Sequence, residues 1–134
     1  MGYDYDNLCR DVNMITENYG EVEKSIIGKS VMGRDIICLK AGDGKKSIVL
    51  LGAYHGLEYL TSAFLIKFIL DYTANAAVGG KYFGYSAAEL FKNVTLYVIP
   101  MVNPDGVDIA VNGLDITNPF HRKLISMAGI HSFN

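Results

Sequence analysis

From Tyr5 to Tyr19 the apolar positions Leu8, Val12 and Ile15 recur at steps of three and four, the spacing of a helix that buries one face. Asp4 or Asp6 can cap it, and Gly20 ends it. "EVEKSIIGKSV" and "RDIICLKAG" then read as two strands joined at Met32-Gly33, the first alternating through Val22, Lys24 and Ile26. After the turn "GDGKK" comes "SIVLLGAY", a continuous β-branched and leucine run of the kind buried on both faces inside a sheet. From Leu57 to Thr73 the pattern becomes helical. Lys67 and Asp71 mark a narrow polar stripe on a helix otherwise apolar, which predicts packing onto a sheet with further cover at its sides. "AAVGGKYFGYS" reads as a loop, "AAELFKN" as a short helix, and "VTLYVIPMV" as a second buried strand ended by "NPDG". Strand, helix and strand in that order imply a right-handed parallel crossover. Past Gly113 no period is evident.

The pattern therefore predicts an α/β domain with a mixed sheet of about four strands and flanking helices. At 134 residues the chain is a single domain, residues 1–134, long enough to bury a core. Only 19% of it is charged and 50% is hydrophobic, so it holds large buried layers or surfaces that expect cover. A net charge of −2, with no basic stripe, argues against nucleic acid as a partner. The acidic start "MGYDYDNLCRD" is no signal peptide, and no apolar run approaches a membrane span, so no membrane is expected. Cys9 and Cys38 lack CxxC spacing and read as free thiols of a reducing compartment, with the cytoplasm as the expected location.

The chemistry concentrates in "GAYHGLE". His55 follows the carboxyl end of the "SIVLLGAY" strand, where open α/β sheets place their ligands. Glu58, three residues on, opens the next helix and falls on the same side of the turn. Imidazole nitrogen and carboxylate oxygen are both zinc donors, and Gly56 leaves room for close backbone approach. A chance HxxE in such a chain has odds of roughly one in ten, so an ion pair or a satisfied histidine competes with a metal site until context is added. The context is the second motif, "PMVNPDG", which ends the neighbouring strand. "GKS" at Gly28 to Ser30 and "GDGKKS" are not phosphate loops, and no GxSxG elbow is present.

"GKSVMGRDI", "GAYHGLE" and "YVIPMVNPDGV", in that order and at these separations, resemble the amino-terminal half of the zinc carboxypeptidase family. The likeness is closer to the bacterial branch that cleaves γ-D-glutamyl–diaminopimelate bonds of peptidoglycan peptides. The resemblance implies an incomplete α/β/α domain in which His55 and Glu58 ligate zinc and the complete protein acts on a peptide substrate. It also implies the strand order first, second, fourth, third. The "NPDG" turn and Arg34 are read as structural.

The sequence departs from the family pattern in two ways. Leu57 stands where pancreatic-type members have arginine, and the family's third zinc ligand, general base, arginines and tyrosine have no counterpart before Asn134. His121 and His131 lie in the unpatterned tail, where His131 reads as a solvated loop residue sooner than as an improvised third ligand. No catalytic residue is therefore assigned, and the expectation is a truncated half-domain without turnover of its own. Its rivals are a zinc-dependent acyl-amino-acid amidohydrolase, whose superfamily also carries an HG-x-E motif, and a non-catalytic binding or structural remnant. An apolar third strand without edge protection predicts self-association through that edge or the flanking apolar faces.

Overall fold

The computed structural model describes residues 2–128. Its first helix, α1 (Tyr5–Asn18), starts where the Asp4 carboxylate accepts from the Asn7 amide at 2.9 Å. Leu8, Val12 and Ile15 are its buried residues, as the spacing predicted. The hairpin β1 (Val22–Lys29) and β2 (Asp35–Ala41) is antiparallel, with a register irregularity between Ile26 and Gly28. β3 (Lys46–Leu51) follows, then a single 3-10 turn at Gly56–Glu58 and the long helix α2 (Tyr59–Ala77). The glycine-rich segment expected as a loop closes a two-stranded hairpin, β4 (Lys81–Tyr82) and β5 (Tyr85–Ser86). Its Tyr82 ring stands edge-on to Phe68 and Tyr72 of α2. Next come α3 (Ala87–Asn93) and β6 (Val94–Ile99). Among the described residues no helix is long and apolar enough to cross a membrane.

The main sheet is ordered β1-β2-β6-β3, antiparallel at β2–β6 and parallel at β3–β6, which is the mixed sheet and strand order expected. Register puts Leu39 opposite Val98, and Leu50 on the other side of the same Val98. These residues share one face, which packs on Leu8, Val12 and Ile15 of α1 and on Leu65, Ile66 and Ile69 of α2. The opposite face carries Ile36, Cys38, Tyr97, Val49 and Leu51, and none of them belongs to that core.

Three expectations need correction. "SIVLLGAY" is not buried on both faces: β3 is the outermost strand, and Val49 and Leu51, 58 and 55% exposed, stand on its face away from the core. Ile48, on the same side as Leu50, is 47% exposed as well, so the core-facing side is only partly covered there. "NPDG" is not a closed turn but the start of a helix, α4 (Pro104–Asn112), with Asn103 as its cap and Pro104 in the first turn. The segment after Gly113 is not patternless either, since it holds α5 (Pro119–Ala128). Phe120, Leu124 and Met127 recur there at steps of four and three and are exposed, while His121 is buried and Ile125 half-buried. His121 lies in α5 and is 2% exposed. Its Nδ1 accepts from the Asp115 amide at 2.9 Å. His131 lies outside the described residues.

Candidate metal centre

The strands β3 and β6 continue past their ends as paired chain. The Gly52 amide donates to Ile99 O, Val102 N to Gly52 O, and Asn103 N to Ala53 O at 3.1 Å. Ser62 of α2 adds a 2.6 Å bond to Pro100 O. Ala53, buried, takes a positive φ of 43° and turns the chain out of the sheet. Thr61 holds that bend, accepting from the Ala53 amide and donating to Glu58 O, both at 2.7 Å. Two residues beyond the bend is His55, with the Tyr54 ring standing edge-on to its imidazole at 5.4 Å.

His55 caps the 3-10 turn, and Glu58 closes it. His55 Nδ1 and Glu58 Oε1 are 2.8 Å apart, and the His55 amide donates to Oε2 at 3.4 Å. The side chains are 73 and 49% exposed. The hydrogen bond with the imidazole holds the Glu58 carboxyl below the ordinary carboxylate range. With Glu58 ionised, Nδ1 must carry the proton in this contact, and a metal ion binding there would displace it.

The pair fits one side of a zinc centre. Tetrahedral zinc with bonds of about 2.0–2.1 Å sets its donors roughly 3.4 Å apart, so two solvent-facing side chains need only open slightly to admit the ion. The third side is not found here. Among the described residues no group of three or more His, Cys, Asp or Glu side chains could hold a metal ion. Both cysteines are free, and Cys38 is buried with its thiol pushed up by burial. The structure thus brings His55 and Glu58 together and leaves His121 hydrogen-bonded elsewhere.

The floor of the site was not legible in the sequence. Gly56 lies against the first turn of α4 so closely that an added Cβ would stand 2.2 Å from Gly106 O. That turn is itself fixed. Asn103 Oδ1 accepts from the Gly106 amide at 2.9 Å, while Asp105 accepts from Ser30 Oγ, Met32 N and Arg34 Nη1 at 2.8–2.9 Å. Arg34 Nη2 reaches Asp108 at 2.6 Å. Burial opposes the Arg34 charge, but the bond to Asp105 and the nearby Asp108 and Asp105 charges outweigh it and raise its pKa. Arg34 and "NPDG" therefore have the structural role expected of them, but as one clamp.

Comparison with known proteins gives this geometry its family. The family model for zinc carboxypeptidases matches residues 10–126, and the chain belongs to that family. It is 31% identical, over 92% of its length, to gamma-D-glutamyl-L-diamino acid endopeptidase 1 of Lysinibacillus sphaericus, of which it covers 31%. It is 33% identical, over 85% of its length, to the YqgT protein of Bacillus subtilis, again covering 31% of that protein. The chain thus spans about a third of the length of these relatives. Among solved structures, thrombin-activatable fibrinolysis inhibitor aligns at a TM-score of 0.70 and 25% identity, over 81% of this chain and 27% of that one. A metallo-carboxypeptidase from Burkholderia cenocepacia shares the fold at a TM-score of 0.62.

Proposed function

We propose that His55 and Glu58 are two ligands of a catalytic zinc in a metallopeptidase, and that the protein hydrolyses peptide bonds of the γ-D-glutamyl–diamino acid type. The carrying observation is the 2.8 Å convergence of His55 Nδ1 and Glu58 Oε1 just beyond the carboxyl end of β3. The substrate class is supported by the name and 31% identity of the Lysinibacillus endopeptidase. A zinc ion held there supplies Lewis-acid polarisation of a water and of the scissile carbonyl. This chain's residues supply the rest of what it can do. Before a metal ion enters, Glu58 holds the imidazole through Nδ1; Thr61 ties the bend at Ala53 to Glu58 O, and Gly56 lets the turn settle on α4.

Residues 2–128 offer two donors where a catalytic zinc needs three, so the same proposal holds that the 134-residue chain binds zinc weakly and does not turn over alone. The test sets a family-length protein beside the 134-residue chain, with γ-D-glutamyl–diaminopimelate and N-acyl-aspartate as substrates. Phenanthroline-sensitive cleavage of the first by the longer protein, abolished by His55→Ala and absent in the shorter chain, is expected. Preference for the N-acyl amino acid, or full activity of His55→Ala, overturns the reading.

A further inference from the structure

The clamp formed by Arg34, Asp105 and Asp108 lies far along the chain from His55, yet it acts on the surface under it. Arg34 belongs to the turn between β1 and β2, and its guanidinium spans two carboxylates of α4, Asp105 at 2.8 Å and Asp108 at 2.6 Å. Asp105 also caps the hairpin turn through Ser30 Oγ and Met32 N, so its two oxygens are committed to one geometry. All three charged side chains are at least three-quarters buried, where such bonds are held more firmly than on an open surface. One residue beyond Asp105 is Gly106, whose backbone is the surface that Gly56 touches. The chain of contact runs from Arg34 to Asp105, to Gly106, to Gly56, and Gly56 lies between His55 and Glu58.

We infer that Arg34, through Asp105 and Asp108, is a positioning residue for the His55–Glu58 pair: it seats the first turn of α4 at the height that lets the 3-10 turn close. This rests on the proposed metal role only for its functional meaning. The mechanical coupling stands on the packing of Gly56 against Gly106 and on the bond from Asn103 N to Ala53 O, which ties the same two segments. Packed backbone with no room for a methyl group transmits a shift instead of absorbing it. If α4 loses its hold on the hairpin, the turn carrying Glu58 loses its floor.

Hydrogen exchange separates this from a general loss of stability. The Glu58 amide donates to His55 O at 3.0 Å and reports closure of the turn. Exchange at Glu58 and Asn103 is expected to quicken about tenfold in Arg34→Ala and in the near-isosteric Asp108→Asn, and zinc affinity that depends on His55 is expected to fall by a similar factor. Leu8→Ala, a core truncation in α1, serves as the control. It is expected to lower the melting temperature at least as much and leave local exchange at Glu58 and the affinity unchanged. Unchanged Glu58 exchange in Arg34→Ala and Asp108→Asn, or equal quickening in Leu8→Ala, overturns the inference. An unaltered chain that binds no zinc through His55 overturns the metal assignment instead, while the exchange rates still decide whether the clamp holds the turn.

Discussion

The two edges of the main sheet are built on different terms. β1 carries Glu23, Lys24, Ser25 and Lys29, with ion pairs from Glu23 to Lys40 and from Lys29 to Asp35. Its exposed Ile26 and Ile27 sit where the register breaks, so the ladder is interrupted at its most apolar point. β3 has no such break, and after Lys46 and Ser47 it shows Ile48, Val49 and Leu51 to solvent. Charges and bulges on an edge discourage a further strand, and a long apolar edge invites one. Beside β3, α2 adds Leu60 and Phe64, both exposed, and Phe64 lines a groove with Leu50 and Phe83. One edge is finished against water and the other is not. His55 follows directly from the unfinished one.

Truncating the same residue type at two depths gives the largest contrast. Leu39, fully buried in β2, should cost about 2–5 kcal/mol as Leu39→Ala, whereas Leu51→Ala on the open edge should cost less than about 1 kcal/mol, both read by urea unfolding at a dilution where the chain is monomeric. Equal losses there would mean that β3 is covered within the single chain. Self-association comes next. The chain is expected to form a dimer or larger assembly at micromolar concentration through β3 or its flanking faces, and Val49→Lys should weaken it at least about a hundredfold. Glu23→Ala on the other edge should not. Sedimentation showing a stable monomer, or equal effects at both edges, breaks the comparison.

A smaller effect lies at the cap of α1, where Asp4→Ala should cost about 1 kcal/mol in the same unfolding experiment. That cap is one of the features open to a reader of the sequence, as are α1, the hairpin and the four main strands. Each was specified by short-range spacing or by a residue with one preferred place. The environment of β3 was not, since an apolar run reads the same whether its neighbours are present or absent. α4 and α5 were less legible: "NPDG" suits a turn as well as a helix start, and α5 is a short helix of ten residues in which Arg122, Lys123 and Ser126 dilute the apolar spacing. At the site, the HxxE spacing singled out His55 and Glu58 only together with "PMVNPDG" on the neighbouring strand, and the structure brings the two side chains together. The clamp beneath them joins Arg34 to acids 71 and 74 residues away, a separation at which a single sequence carries no signal.

The smallest effect is a pH dependence at the end of β3. The Glu58 carboxyl has its pKa lowered in the folded chain by the bond with His55. Its contribution to stability is therefore present above the ordinary carboxylate range and is lost as pH falls through the depressed value. Melting temperatures of the unaltered chain and Glu58→Gln should differ slightly near neutral pH and converge in acid. A difference that grows on acidification would contradict the pairing.

The metal assignment itself is tested most directly by X-ray absorption at the zinc edge of the loaded chain, set beside His55→Ala and Glu58→Ala. A first shell of nitrogen and oxygen at about 2.0–2.1 Å is expected, with imidazole scattering that disappears in His55→Ala. Sulfur at about 2.3 Å from Cys9 or Cys38, or a spectrum unchanged by removal of His55 and Glu58, would contradict it.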